Sequence, residues 1–213
     1  MQLAIVAGGP EALIPSFNES AYREVLWIGC DRGALVLVKR GLRPICVFGD
    51  FDSVSSAERQ QIVAAAQDCR LFPPEKDETD LELAIDWALK RQPEKLLIFG
   101  ATGGRQDHAL SAFHFLLKAV GTVTQMVIVD RNNCARLLGK GIYRIVREPA
   151  YRYLSFLAFS DKVTGLTLHG AKYPLESATL ERGSGLCISN EVKEQEMTVM
   201  FSSGLLLMMR CSD

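Results

Sequence analysis

A chain of 213 residues, 48% of them hydrophobic and 23% charged, has enough apolar material for a real core and could form one large domain or two small ones. Its 24 Lys and Arg nearly balance 25 Asp and Glu, leaving a formal charge of −1. That balance offers no global basic field to nucleic acid or to an anionic membrane, so an anionic ligand must be held by local groups.

The opening Met1 to Gly9 lacks the basic start and long apolar run of a secretion signal, and no apolar run approaches the roughly 20 residues of a membrane span. Cys30, Cys46, Cys69, Cys134, Cys187 and Cys211 are scattered, with no CxxC pair and no zinc-type spacing. They read as reduced thiols, and the chain is expected in the cytoplasm, with no membrane and no nucleic-acid partner.

From residue 1 to about 138, short apolar runs alternate with amphipathic stretches: Leu3 to Ala7, Val25 to Ile28, Ile45 to Phe48, Leu96 to Phe99 and Met126 to Val129 read as buried strands. Strands alternating with helices at this spacing predict a Rossmann-like α/β domain with a parallel sheet. Beyond Gly139 the segments become short, β-branched and aromatic: Tyr143 to Val146, Tyr151 to Phe159, Val163 to Leu168, Leu186 to Ser189, Met197 to Phe201 and Leu205 to Met209. Strands without intervening helices predict a small antiparallel β-sandwich. The expected domains are therefore 1–138 and 139–213.

Ligands of parallel sheets bind beyond the carboxyl ends of the strands, and four loops expected there are chemically distinctive. Gly49-Asp50-Phe51-Asp52-Ser53 follows the third strand, and two carboxylates one residue apart suit a hard cation such as Mg²⁺, which takes oxygen ligands. The same residues would equally serve a polar turn, with Asp52 or Ser53 capping a helix from Val54. Lys76-Asp77-Glu78-Thr79-Asp80 follows a short strand at Leu71-Phe72 and opens a helix whose apolar stripe is Leu81, Ile85, Ala88 and Leu89. Asp77 and Asp80, three apart, would share a helical face, or would simply favour the first turn through the helix dipole.

Gly100-Ala101-Thr102-Gly103-Gly104-Arg105-Gln106-Asp107-His108 lies between a strand and a helix reaching about Ala119. Its glycines let backbone N–H groups approach phosphate oxygens, and its Arg supplies a permanently charged donor fork; it lacks the Gly-Lys-Ser/Thr of a Walker A motif. The alternative is a tight turn with Asp107 as a helix cap. Cys30-Asp31-Arg32-Gly33-Ala34 and Ala7-Gly8-Gly9-Pro10 complete the set. Helix capping explains each loop singly but leaves their chemical match unexplained: acids for a metal, glycines and Arg for phosphate.

Taken in order, Asp31-Arg-Gly-Ala, Gly49-Asp-Phe-Asp-Ser, Lys76-Asp-Glu-Thr-Asp, Gly103-Gly-Arg-Gln-Asp-His and Ser189-Asn-Glu resemble the thiamine pyrophosphokinase family along nearly the whole chain. That resemblance implies an α/β domain carrying ATP and Mg²⁺, a C-terminal β-sandwich, and a homodimer with thiamine between one subunit's catalytic edge and its partner's β domain. By the same resemblance, Asp50, Asp52 and Asp80 would bind Mg²⁺, with Asp31 and Asp77 supporting metal or substrate. Gly33, Ser53, Thr102, Gly103, Gly104, Arg105 and His108 would meet the nucleotide, with Asp107 orienting the loop, and Ser184, Ser189 and Asn190 would contact thiamine. Trp27 and Trp87 read as packing residues, leaving Phe201 or Tyr173 as candidates to stack on a thiazolium cation. The rival readings are a pyrophosphokinase acting on a hydroxymethyl pterin, a non-catalytic thiamine or nucleotide sensor, and a metal-dependent phosphoesterase.

Overall fold

The computed structural model describes residues 1–18, 22–71 and 77–213, apart from the Leu71 side chain. Backbone contacts divide them into two units, Met1–Arg131 and Asn132–Asp213.

The first unit holds six parallel strands, β1 (Gln2–Val6), β2 (Val25–Cys30), β3 (Cys46–Gly49), β4 (Cys69–Leu71), β5 (Lys95–Phe99) and β6 (Gln125–Val129). They lie in the order β4-β3-β2-β1-β5-β6. Four of the five residues of β1 and of β5 are buried, the continuous apolar signature of a sheet covered by helices. The strand order runs one way from β1 to β4 and the other way from β1 to β5 and β6. A crevice opens at that reversal, beyond the carboxyl ends of β1 and β5.

Four helices follow strands: α1 (Arg32–Lys39), α2 (Ser56–Ala65), α3 (Asp80–Leu89) and α4 (Gln106–Phe115), the last continued by a 3₁₀ turn at Leu116–Ala119. The helix expected from Val54 begins at Ser56, and its cap is Ser55 rather than Asp52 or Ser53. Ser55 Oγ accepts from Glu58 N–H while the Glu58 carboxylate accepts from Ser55 N–H at 3.0 Å, a reciprocal box that leaves the upstream acids free for other work. Thr79 caps α3, so Asp77 lies ahead of the helix and does not share a helical face with Asp80. Trp27 packs on Phe17 with ring centroids 4.4 Å apart, and Trp87 lies against Phe48 under the Arg91 guanidinium.

Gly33 in α1 sits where an added Cβ would fall 1.9 Å from the Val6 carbonyl oxygen. The glycine therefore lets the first turn of α1 press onto the end of β1, and it lies beneath the crevice rather than along it.

The second unit contains two antiparallel sheets. One has the order β7-β13-β9, built from Asn133–Leu138, Leu206–Cys211 and Tyr153–Ala158. The other has the order β11-β10-β12-β8, built from Leu175–Glu181, Lys162–His169, Glu196–Phe201 and Gly141–Val146. Leu138, Ile145, Phe156, Val163, Leu166, Val199, Phe201 and Met208 form their shared core. Strand β7, whose polar Asn133 and Arg136 hide it from an apolar-run reading, pairs along its length with β13. The break between units thus follows Arg131. The strand expected at Leu186 to Ser189 is a turn, because the chain there closes on itself through Ile188 N–H to Gly185 O and Ser189 adopts φ 58. That turn lies beside β9, Phe156 N–H donating to Cys187 O at 3.0 Å, while the half-exposed edge strand β11 pairs with β10 in the other sheet. Phe72 and Lys76 lie outside the described residues.

All six cysteines are free thiols. Burial pushes Cys46 up to about 11, with the Asp68 carboxylate adding to it, and burial alone pushes Cys187 up to about 11. An unfolded thiol ionises near 9.0, so between pH 9 and 11 the native state binds more protons and stability is lost as pH rises through that window. A Cys46→Ala/Cys187→Ala double variant should show a shallower fall in Tm from pH 9 to 11 than the parent; equal slopes would refute the assignment. Gly33→Ala should cost about 1–3 kcal/mol through overpacking and lower Tm by several degrees, and an unchanged Tm would show that α1 is not pressed on Val6.

Candidate active site

Asp31 follows β2 and adopts φ 46, a left-handed conformation that costs free energy in a non-glycine residue. Its N–H donates to Phe48 O at 3.0 Å, which ties it to the end of β3. Its carboxylate lies against Gly49, where a Cβ would come within 2.1 Å of Asp31 Oδ1. The Gly-Asp of the third loop is therefore a glycine because the aspartate of the second loop occupies its side-chain space.

In the next turn Asp52 N–H donates to Asp50 Oδ1 at 3.0 Å. Phe51, at φ 61, is buried with Ala34, Leu35, Val47 and Ile62, so an apolar anchor divides the two acids. The Cys30 thiol reaches the Asp80 carbonyl at 3.6 Å, bringing the first turn of α3 to the end of β2 beside Asp31. On the other side of the reversal, Gly9 N–H donates to Gly100 O at 2.8 Å and joins the first loop to the glycine loop.

These loops surround a cavity of about 790 Å³, within the range of small-molecule and cofactor sites. Among the residues anticipated from sequence, Asp31, Asp50, Ser53, Asp77, Asp80, Thr102, Gly104, Arg105 and His108 line it. Gly33, Asp52, Gly103 and Asp107 are not part of the lining. Asp52 is exposed.

Asp107 instead holds Arg105. Nε and Nη2 of Arg105 reach the two Asp107 oxygens at 3.1 and 2.6 Å, and His108 N–H donates to the same carboxylate at 2.9 Å. The Arg105 fork is the main reason that the Asp107 carboxyl is held down to about 2. Both side chains are largely exposed, so the pair orients Arg105 and adds little to stability.

Sequence reasoning missed Glu11, Lys39 and Glu78 in the lining, and it missed Asp130 behind it. Asp130 is 7% exposed at the end of β6 and accepts the Thr102 hydroxyl at 2.7 Å. The signal was present: an acid directly after the last parallel strand falls on the same edge as the other loops.

Ser184, Ser189 and Asn190 belong to the second unit. Ser184 Oγ accepts from Leu186 N–H, and Ser189 is exposed. Asn190 is 2% exposed and clamps Tyr173 through both of its amide atoms, which gives it a structural task. Phe201 is buried and stacked on Tyr143, whereas Tyr173 is exposed.

Among the described residues, no three His, Cys, Asp or Glu groups stand close enough to grip a metal directly. The donor chemistry nevertheless fits Mg²⁺. Among the described residues that line the cavity, the acids are Glu11, Asp31, Asp50, Asp77, Glu78 and Asp80 and the fixed cations are Arg32, Lys39 and Arg105. A polyphosphate could not enter so acidic a lining without cations to offset the repulsion. Mg²⁺ prefers oxygen donors, keeps several waters and is commonly held by one or two carboxylates together with substrate phosphates. The lining supplies that donor type.

Comparison with known proteins matches both parts of the chain. The model of the thiamin pyrophosphokinase catalytic domain matches residues 17–128, and that of the thiamin pyrophosphokinase vitamin B1 binding domain matches residues 142–206. A thiamine pyrophosphokinase of Bacillus subtilis (strain 168) is 44% identical over 209 residues, 98% of each chain. The crystal structure of a thiamine pyrophosphokinase from Bacillus subtilis is similar with a TM-score of 0.94 at 42% identity, covering 100% of both chains. That from Geobacillus thermodenitrificans gives 0.91 at 40% identity, covering 100% of this chain and 98% of the other. The two family models and the relatives matched over nearly the whole length agree, and this chain belongs to the thiamine pyrophosphokinase family.

Proposed function

We infer that this chain transfers the diphosphate of ATP to the hydroxyl of thiamine, giving thiamine diphosphate and AMP. The observation that supports it most directly is a single cavity where the carboxylates of separate loops meet a glycine and arginine loop, in a chain of this family. The thiamine oxygen attacks the β-phosphorus, the bond from that phosphorus to the oxygen bridging to the α-phosphate breaks, and AMP leaves. The hydroxyl proton passes to a lining carboxylate or to solvent.

Phosphoryl-type transfer needs little covalent help from the protein and depends on alignment and charge. Asp31, Asp50, Asp77 and Asp80 are the groups from which we draw the one or two carboxylates that would hold Mg²⁺, which when bound would neutralise phosphate charge and polarise the phosphorus–oxygen bonds. Asp52, outside the cavity lining, is left out of that set. Backbone N–H groups of the glycine loop hold phosphate oxygens, and Arg105, kept extended by Asp107 until substrate arrives, stabilises charge that develops on the leaving phosphate.

Two coarser properties accompany this reading. Ile142 and Val146 on β8 are 74% and 58% exposed, and that apolar edge supports a homodimer. Among the described residues no helix is long and apolar enough to cross a membrane, and six free thiols suit a reducing cytoplasm.

The decisive assay supplies ATP, Mg²⁺ and either thiamine or a hydroxymethyl pterin to the purified protein. AMP and thiamine diphosphate should appear in equal amounts; inorganic phosphate alone, product from the pterin only, or binding without turnover would overturn the reading. Asp50→Asn should lower turnover about a hundredfold or more, since lost metal charge is worth several kcal/mol, whereas Asp52→Asn should lose far less. The reverse ranking would move the metal to Asp52. Arg105→Lys, which replaces a planar fork with a point charge, should reduce kcat more than it raises the KM for thiamine; unchanged kinetics would remove Arg105 from the transition state.

A further inference from the structure

The one hydroxyl that lines the cavity from the glycine loop has its polarity fixed from behind. Thr102 Oγ1 donates to Asp130 Oδ2 at 2.7 Å, a well-formed O–H···O bond. A threonine hydroxyl has a single proton and two lone pairs, whereas a carboxylate only accepts. The proton being committed to Asp130, the oxygen offers the cavity lone pairs alone. Asp130 itself is 7% exposed at the end of β6, and the next residue is fastened by Arg131 N–H to Leu13 O at 2.8 Å, so the carboxylate is held in place behind the loop.

We propose that Thr102 is a specificity residue that accepts a hydrogen bond from a hydroxyl or amino group of the bound nucleoside, and that Asp130 is the positioning residue that keeps it an acceptor. The inference rests on the nucleotide reading above and refines it: phosphate oxygens, themselves acceptors, gain nothing from the Thr102 side chain and must rely on backbone N–H groups and Arg105. Thr102 lies beside the junction of Gly9 with Gly100, at the strand-order reversal where nucleotides bind in such sheets. A nucleoside presents donors at its sugar hydroxyls and its base amino group. Which of the two meets Thr102 is left to the ligand series below.

The test measures dissociation constants with Mg²⁺ for ATP, its 2′-deoxy and 3′-deoxy forms, the triphosphate of the purine riboside lacking the amino group, and inorganic tripolyphosphate. The parent should bind one of the three analogues roughly threefold to tenfold more weakly than ATP, the effect of one lost hydrogen bond. Thr102→Val should weaken ATP by a similar factor, leave that same analogue unaffected and leave tripolyphosphate unaffected, so the two losses do not add. Thr102→Ser should restore ATP binding. In Asp130→Asn the side-chain amide can donate to Thr102 and release its proton, so discrimination between ATP and that analogue should shrink while Tm stays close to the parent's.

Uniform weakening of every ligand by Thr102→Val, tripolyphosphate included, would overturn the inference by placing the hydroxyl on phosphate. Unchanged ATP binding in Thr102→Val would overturn it by removing the contact. The parent's AMP and thiamine diphosphate output is read separately: its absence defeats the proposed reaction, whereas normal output with any of these contrary binding patterns defeats only the role of Thr102.

Discussion

Anionic side chains and an anionic substrate are asked to share one cavity, and that repulsion governs the design of the site. Two unit charges about 4 Å apart interact by about 4 kcal/mol at the effective dielectric of a protein surface, so a lining whose described residues include six carboxylates and three fixed cations is hostile to free polyphosphate. It becomes hospitable when divalent cations enter with the phosphates. On the proposed reading the acids select the metal-bound nucleotide, and the glycine loop and Arg105 make the contacts that do not need a cation.

The sheet is what concentrates the acids. Strand order reverses at β1 and β5, and the described residues that line the cavity come from the carboxyl ends of strands of this sheet and the segments that follow them. Close backbone approaches lock those loops together: Asp31 against Gly49, Gly33 against Val6, Cys30 to the Asp80 carbonyl. Positioning through the backbone and through buried anchors such as Phe51 keeps the acids from relaxing apart, which their mutual repulsion would otherwise favour.

Much of this was legible from residue order. The apolar runs of β1, β2, β3, β5 and β6 are short and continuous because those strands are buried, so they announce themselves, and the loops after them carry unusual chemistry. What was hidden depended on neighbours distant in sequence. Asp50 and Asp52 look equivalent on paper, yet of the two only Asp50 is among the residues that line the cavity, with the buried Phe51 between them. Asn190 reads as a ligand contact until its amide is seen clamping Tyr173. Strands β7 and β11 escaped notice because polar residues on half-exposed strands break the alternation that marks a buried face. Asp130 follows the expected strand Met126 to Val129, and its link to Thr102 spans 28 residues.

The claim on which the rest depends is that cations make the acidic crevice able to accept a nucleotide. Calorimetric titration of ATP into the protein, in Mg²⁺ and again in excess EDTA, addresses it directly. Binding should be strong with Mg²⁺ and weaker by at least an order of magnitude without it. Equal affinity in EDTA would mean that the carboxylates do not face the phosphates, and the cavity would need another ligand.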